Sequence, residues 1–170
     1  MNQFHSSSSS SSDGPNRAQL QPSVFYAESL IHCTLQDAWK LMLDYKAWNP
    51  DFARAETRTI RGDSGSEGEL TLITLLDENR APLSQFYAET AKVVAPHHIV
   101  WYVFPIEGES FRNFVDFWLE ETSSGVKFRI FYYAQSSLLL QEVAQMRAGM
   151  ETNLRNLTLE FKRYCESHSS

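Results

Sequence analysis

Between residues 138 and 165 the chain reads LLLQEVAQMRAGMETNLRNLTLEFKRYC, and this run predicts one long amphipathic helix. Its apolar residues recur at steps of three or four positions, as they do on one face of an α-helix: Leu139, Val143, Met146, Met150, Leu154, Leu157, Phe161 and Tyr164. Gly149 is the weak position, because glycine costs about 1 kcal/mol relative to alanine inside a helix. We hypothesise that its missing side chain leaves space beneath the helix. A helix about 40 Å long, at ~1.5 Å per residue, needs a broad apolar partner.

The composition restricts the class of protein. A chain of 170 residues is most simply one domain, and its 42% apolar content is enough for a packed core. The 13% aromatic content suggests that rings line a dense core or a cavity. The net charge of −6 argues against nucleic-acid or anionic-membrane partners, which attract clustered Lys and Arg. No apolar run predicts a transmembrane helix or a signal peptide, so we expect a cytoplasmic protein in which Cys33 and Cys165 are reduced thiols.

The chain divides into a tail and one folded region. Residues 1–21 contain the serine run 6–12 and too few apolar residues to offset the entropy of ordering, so we predict a disordered N-terminal tail. The folded domain is predicted to cover residues 22–168.

The folded region predicts a strand, two short helices, six strands and the long helix. Residues 24–33 alternate as a strand, Thr34 is a candidate N-cap for a helix beginning at Leu35, and a second helical turn is expected around residues 50–54. The six further strands are predicted at 56–61, 69–77, 85–94, 99–104, 111–121 and 126–135, separated by turn residues. Short connections favour antiparallel pairing. The predicted class is α+β, with a strongly curved antiparallel sheet wrapped around the C-terminal helix.

Several local patterns, in this order, resemble one known superfamily. Residues 31–39 (IHCTLQDAW) look like its first strand, cap and opening helix, and residues 43–50 (LDYKAWNP) look like its "Leu-x-Asp … Trp-Asn-Pro" stretch. Ala95-Pro96 followed by Ile99-Val100-Trp101 is similar to its mid-sheet turn and strand. Together these motifs resemble the START/Bet v 1-like (SRPBCC) superfamily and its polyketide cyclase/dehydrase-like branch, which has the helix-grip fold.

The resemblance implies a deep apolar cavity between the sheet and the long helix. Such cavities bind lipids, sterols, polyketides or similar ring-containing molecules, and some members catalyse cyclisation or dehydration of them. Members with the Trp-Asn-Pro pattern often place a His or Glu in the cavity from the late strands. Here those registers hold Asn113, Val115 and Tyr132, which argues against a mechanism driven by a carboxylate or a histidine.

The candidate site residues follow from these registers. Asn113, Tyr132 and Asn153 are the polar candidates, either for structural hydrogen bonds or for orienting and polarising a ligand. The expected ligand-binding set is Trp101, Phe111, Asn113, Phe117, Phe128, Tyr132, Met146, Met150 and Asn153. His97 and His98 are expected to be solvated turn residues, and no metal or cofactor is predicted.

Three functions therefore remain open. The first is binding of a hydrophobic small molecule. The second is a cofactor-independent cyclase or dehydratase in a secondary-metabolite pathway, where the pocket would fold a reactive chain. The third is a protein-interaction module, such as a co-chaperone domain, which predicts a filled interior and an exposed apolar patch. The sequence alone predicts no oligomeric state.

Overall fold

The computed structural model describes residues 23–107, 111–136 and 140–169, and the serine-rich segment predicted as a tail lies outside them. The elements are β1 (Ser23–Ile31), α1 (Leu35–Leu43), α2 (Tyr45–Trp48), β2 (Glu56–Arg61), β3 (Leu70–Leu76), β4 (Pro82–Val94), β5 (His98–Pro105), β6 (Phe111–Thr122), β7 (Gly125–Ser136) and α3 (Leu140–His168).

The seven strands form one antiparallel sheet in the order β1-β7-β6-β5-β4-β3-β2. From β2 to β7, strands that follow each other in the sequence pair with each other. Strand β1 pairs with β7 and forms one edge of the sheet, and β2 forms the other. Helix α3 lies against β1 and β7 and contacts both short helices. The predicted α+β class, with a curved antiparallel sheet around a C-terminal helix, is confirmed.

The core fills one end of the space between the sheet and α3. Trp48, Phe117, Phe128 and Phe161 are all buried, and their rings touch one another. The Phe161 ring lies 4.4 Å from that of Phe128 and 4.8 Å from that of Trp48, between ring centroids. Rings at these separations add roughly 0.5–1.5 kcal/mol per pair beyond the area that they bury. This cluster fixes α3 and α2 against the sheet.

The short helices begin and end where local hydrogen bonds dictate. The Thr34 hydroxyl accepts a hydrogen bond from the Asp37 amide at 3.1 Å, so the predicted cap of α1 is confirmed. The second helical turn is not at residues 50–54 as predicted but at Tyr45–Trp48. Residues 50–54 form turns instead, because the Asn49 side chain accepts from the Asp51 amide at 3.0 Å and redirects the chain.

Helix α3 buries polar and thiol groups that the apolar stripe did not include. Thr158 and Cys165 are fully buried, and the Thr158 hydroxyl donates to the Arg155 carbonyl oxygen at 2.8 Å, which satisfies it inside the helix. Gly149, by contrast, is exposed, and a Cβ there would meet no atom within 4 Å. The hypothesis that Gly149 makes room beneath the helix is therefore wrong.

The prediction for His98 is also wrong. His98 begins β5 and is buried, with its Nε2 2.5 Å from the Asp116 carboxylate and its ring stacked on Trp118 at a centroid distance of 3.8 Å. His97 does lie in the turn, where its Nδ1 is 3.2 Å from the Leu119 carbonyl oxygen. The register of β5 on β6 sets His98 opposite Trp118, and the indole shields the imidazole from water. The pattern of a single sequence does not reveal that a ring on the neighbouring strand covers this histidine.

The outer face of the sheet carries a continuous row of rings. Among the residues that alternate with the buried positions on β1, β7, β6, β5 and β4, one row is aromatic, and we call this set the aromatic belt: Tyr26, Phe131, Tyr133, Phe114, Tyr102, Phe104 and Tyr87. Neighbouring rings contact one another, with centroids 4.9 Å apart for Tyr26 and Phe131 and 4.7 Å apart for Tyr102 and Phe114. Many of the chain's aromatic residues therefore lie outside both the core and the space under α3.

Candidate functional site

A cavity of about 680 Å³ opens between the concave face of the sheet, the α2 region and the middle of α3. Its volume lies within the range of roughly 300–1,000 Å³ that is typical of small-molecule sites. The described residues that line it are Tyr45, Asn49, Pro50, Asp51, Phe52, Ile73, Phe86, Ala88, Trp101, Val103, Val115, Tyr132, Met150, Asn153, Leu154, Asn156, Leu157 and Glu160.

The floor of the cavity comes from alternate residues of neighbouring strands. Register places Ala88 opposite Val103, Trp101 opposite Val115, and Val115 opposite Tyr132. Because side chains alternate between faces along a strand, these residues all point to the concave side. The floor is therefore apolar except for one phenol.

Tyr132 supplies that phenol. Burial raises the pKa of Tyr132 to about 12, because the phenolate would lose its hydration. The hydroxyl therefore stays protonated near neutral pH. It can donate a hydrogen bond to a carbonyl or hydroxyl oxygen of a ligand, but it is a poor general base.

Tyr45, at the start of α2, forms a second polar point in the wall. Its ring meets that of Trp101 edge-on at a centroid distance of 4.6 Å and that of Phe52 at 4.8 Å. Its hydroxyl hydrogen-bonds with the Asn49 side chain, and burial raises its pKa well above the usual value. In the sequence, Tyr45 and Asn49 were noted only as part of a family-like motif, and they were not predicted to line the cavity. The signal was present, since a short helix and a turn between the first strand and the sheet must cover one end of the concave face.

The mouth of the cavity is polar and acidic. Asp51 lies on the turn after α2, and Asn153, Asn156 and Glu160 face it from α3. No Lys or Arg is found among the described residues that line the cavity. Glu160 is paired with Arg163 of the same helix, so Asp51 is the described carboxylate that would repel an anionic group here, whereas an amine, amide or hydroxyl would find acceptors.

A smaller cavity of about 260 Å³ adjoins the first one, and both are lined by Tyr45, Phe52, Ile73, Ala88 and Trp101. Threonine hydroxyls contribute to its wall: Thr57, Thr59, Thr71 and Thr90. Glu69 accepts hydrogen bonds from Thr59 at 3.2 Å and from Thr71 at 3.1 Å, so these hydroxyls are oriented. Tyr45 and Trp101 thus separate an apolar chamber from a hydroxyl-rich one.

The predicted site residues fall into three groups. Trp101, Tyr132, Met150 and Asn153 line the cavity. Phe117 and Phe128 are buried in the core cluster with Trp48 and Phe161, so their rings hold the wall from behind and do not face the open space.

Of the remaining predicted residues, Phe111 and Asn113 lie near the start of β6. Asn113 pairs with Val103 and Ala134 on the concave side but does not line the cavity. Phe111 begins β6 and Met146 lies in α3, but their side chains are outside the part of the chain that the structure describes.

Two features are absent from the part of the chain that the structure describes. In the described ranges no group of three His, Cys, Asp or Glu side chains is arranged to hold a metal ion. Within the same ranges, no helix combines the length and the apolar character needed to cross a membrane.

Comparison with known proteins identifies the fold by structure and not by sequence. No family model matches the chain, and no curated protein matches its sequence. Among solved structures, the chain is similar to Ara h 8.0201, with 14% identity and a TM-score of 0.65, covering 87% of this chain and all of that one. It is also similar to the di-domain ARO/CYC StfQ from the steffimycin biosynthetic pathway, with 10% identity and a TM-score of 0.66 over 89% of this chain and 53% of that one.

An AHSA1-like protein from Aeromonas hydrophila has 20% identity and a TM-score of 0.59, over 85% of this chain and 93% of that one. These three proteins share the architecture described above. At such low identities the likeness establishes the fold and leaves the ligand to be argued from the cavity. The chain therefore has the SRPBCC-type, Bet v 1-like helix-grip fold.

Proposed function

We propose that the domain at residues 22–168 binds a neutral or basic, ring-containing hydrophobic molecule in the cavity beneath α3. The observation that supports this most directly is the open space of about 680 Å³ with an apolar floor. A protein-interaction module with a filled interior would have no such space. A cytoplasmic location and the absence of a nucleic-acid partner are further predictions from the sequence.

The distribution of polarity supports a particular orientation of the ligand. The apolar floor, formed by residues such as Val103 and Val115, suits a ring system, with the Tyr132 hydroxyl available to a buried oxygen atom. The acidic and amide groups of Asp51, Glu160 and Asn153 suit a hydrogen-bond donor or an amine at the mouth. A fatty acid or other carboxylate ligand would place its charge beside the Asp51 carboxylate, which disfavours it; the second carboxylate, Glu160, is paired with Arg163 and repels an anion less.

The binding test uses a matched pair of substitutions. Val103→Phe fills the cavity, whereas Val94→Phe adds the same ring at an exposed position of the neighbouring strand. Titration of an apolar aromatic amine, followed through the fluorescence of Trp101 in the wall, is expected to show at least a tenfold loss of affinity for Val103→Phe only. Equal binding by both variants would contradict the proposed site.

A second titration tests the charge preference. An aromatic amine and the carboxylate of matching shape are compared on the unsubstituted protein, and the amine is expected to bind more tightly. Replacing Asp51 by Asn removes a carboxylate from the mouth without releasing Arg163 from its pair with Glu160, and it is expected to reduce the difference in affinity between the amine and the carboxylate. Tighter binding of the carboxylate would refute the orientation but not the cavity.

The alternative is an enzyme of the polyketide cyclase or dehydratase kind that acts in a secondary-metabolite pathway. What favours it is the protonated Tyr132 in the apolar floor, where it would donate a hydrogen bond to a carbonyl oxygen as negative charge develops there. Asn153 at the mouth would orient the chain for closure. Asn113 lies farther along the concave face, so its part would be limited to the end of a long substrate.

Binding and catalysis are distinguished by Tyr132→Phe and Asn153→Ala. If the protein is an enzyme, Tyr132→Phe abolishes turnover and changes ligand affinity less than fivefold. Native mass spectrometry of protein purified from its own source identifies the candidate molecule for this assay. A parent protein that leaves that molecule chemically unchanged would exclude catalysis on it.

A further inference from the structure

The outer face of the sheet is an unusual surface for a protein whose ligand site lies on the inner face. Tyr26 and Phe114 of the aromatic belt are 45% and 44% exposed, and the neighbouring Val24 and Trp118 are 47% and 37% exposed. Side chains of this kind have areas of roughly 150–250 Å² each, so these four alone expose roughly 300 Å². With the partly buried rings between them, the exposed apolar area reaches roughly 500 Å², which is at the upper end for a monomer.

We propose that the aromatic belt is the contact surface of a homodimer, in which the outer sheet faces of two copies of this chain pack against each other. A patch of roughly 500 Å² with a polar rim approaches the roughly 800 Å² per partner of a standard protein interface. Tyrosine and phenylalanine are enriched at the centres of such interfaces. This proposal is independent of the ligand and of the cavity.

The charges beside the belt favour a second copy over a charged partner. Arg129 is paired within the chain with Glu28, at 3.4 Å, and with Glu120. On the other side, Glu89 is paired with Arg61 at 3.2 Å.

The Asp116 carboxylate, which also borders the belt, lies within hydrogen-bond distance of the His98 Nε2 atom. Lys127 lies opposite Glu120 in the register and adds a second positive charge beside Glu28 and Glu120, so each of these four acidic groups has a basic or imidazole neighbour within the chain. A basic or acidic partner would therefore find little uncompensated charge to recognise.

The geometry also suits twofold symmetry. A two-fold dimer brings the same patch of both copies together, so the patch must be complementary to itself. Tilted and stacked rings such as Tyr102 and Phe114, 4.7 Å apart, present both faces and edges to a partner. The belt crosses five strands from β1 to β4, and a row of rings of this kind can pack against its own copy without a specific pocket.

Sedimentation equilibrium of the full chain tests the proposal. The expected result is a reversible species of twice 19.5 kDa, and a monomer at every concentration overturns it. Phe114→Glu, at the centre of the belt, is expected to weaken the dimer at least tenfold. Leu159→Glu is the matched control, because Leu159 is similarly exposed at 39% but lies on α3, and it is expected to leave the dimer unchanged.

A second variant of the aromatic belt covers the case in which Phe114→Glu does not fold. Tyr26→Lys lies on the edge strand β1, where lysine is well tolerated, and it is expected to weaken the dimer as well. Circular dichroism and thermal melting establish that each variant is folded. A dimer that survives both folded belt variants, or one that the control weakens equally, would place the contact elsewhere and overturn the proposal.

Discussion

Replacement of Phe161 by Ala is expected to remove a large part of the stability of the fold. The Phe161 side chain is fully buried, and its ring contacts those of Phe128 and Trp48. Phe→Ala changes in cores cost about 3–5 kcal/mol, which combines the lost transfer free energy with the cost of the void. Because two ring contacts are lost as well, we expect a value of about 4 kcal/mol or more.

Urea unfolding followed by circular dichroism measures this change. For a slope of ~2 kcal/mol per molar urea, the midpoint should fall by about 2 M, with the slope unchanged. Leu159→Ala, two positions earlier on the exposed side of α3, is the control and should stay within about 0.5 kcal/mol of the parent.

A milder substitution covers the case in which Phe161→Ala does not fold. Phe161→Leu keeps an apolar side chain at the site and is expected to cost less than about 1.5 kcal/mol. If Phe161→Ala lowered the free energy of unfolding no more than Leu159→Ala does, the cluster would not be what fixes α3 to the sheet.

Three more predictions concern other parts of the chain. Asp116→Ala leaves the buried His98 ring without its acceptor and is expected to lower the free energy of unfolding by about 1–3 kcal/mol, whereas no measurable loss would show the pair to be unimportant. Gly149→Ala is expected to raise the free energy of unfolding by about 0.5–1 kcal/mol, since Gly149 is exposed within α3, and a loss of stability would mean that the glycine is needed. The pKa of Tyr132 is about 12 in the folded chain against 10.0 normally, so the folded state holds this proton more tightly and stability falls between about pH 10 and 12. Tyr132→Phe is expected to lose less stability over that pH window, and unfolding curves of equal pH dependence for both proteins would argue against a buried phenol.

The helices and strands could be predicted from the sequence because the hydrophobic periodicity of α3 and of the late strands is regular and extends over many residues. The predicted limits of β2 match the observed Glu56–Arg61, and α3 runs from Leu140 to His168 where residues 138–165 were predicted. Helix α2 was misplaced because one turn of helix has too few residues to show a period. Its position depends on Trp48, whose indole donates a hydrogen bond to the Met42 carbonyl oxygen at 3.2 Å.

The site could be predicted only as far as strand alternation reaches. Alternation correctly assigned the concave face to Tyr132 and Phe117, but it could not say which of them faces open space. That depends on where α2 covers the sheet, because Trp48 packs on Phe117 and Phe128 and closes one end. Tyr45 and Asn49 were missed for the same reason.

The outer face shows a second limit. Aromatic content alone suggested a core or a cavity, yet alternation from Phe128 puts Phe131 and Tyr133 on the opposite face from Ile130. On a one-sided sheet, alternation predicts polar residues there. Rings at these positions are therefore a departure that the hydrophobic effect does not explain within one copy of the chain.

The size of the cavity means that it does not stay dry in the folded protein. A dry apolar void costs about 24 cal/mol per Å³, so 680 Å³ would cost on the order of 16 kcal/mol, which exceeds the entire stability of a typical domain. The space must therefore hold water or a ligand in the folded protein. Water over the floor of the cavity would face residues such as Ile73 and Val115, with Tyr132 as the polar partner there. An apolar molecule that replaces such water gains free energy without any change in the sheet, because the Phe161 cluster already holds α3 in place. The Phe161 cluster thus supplies stability that allows the cavity beneath the middle of α3 to stay open for a ligand.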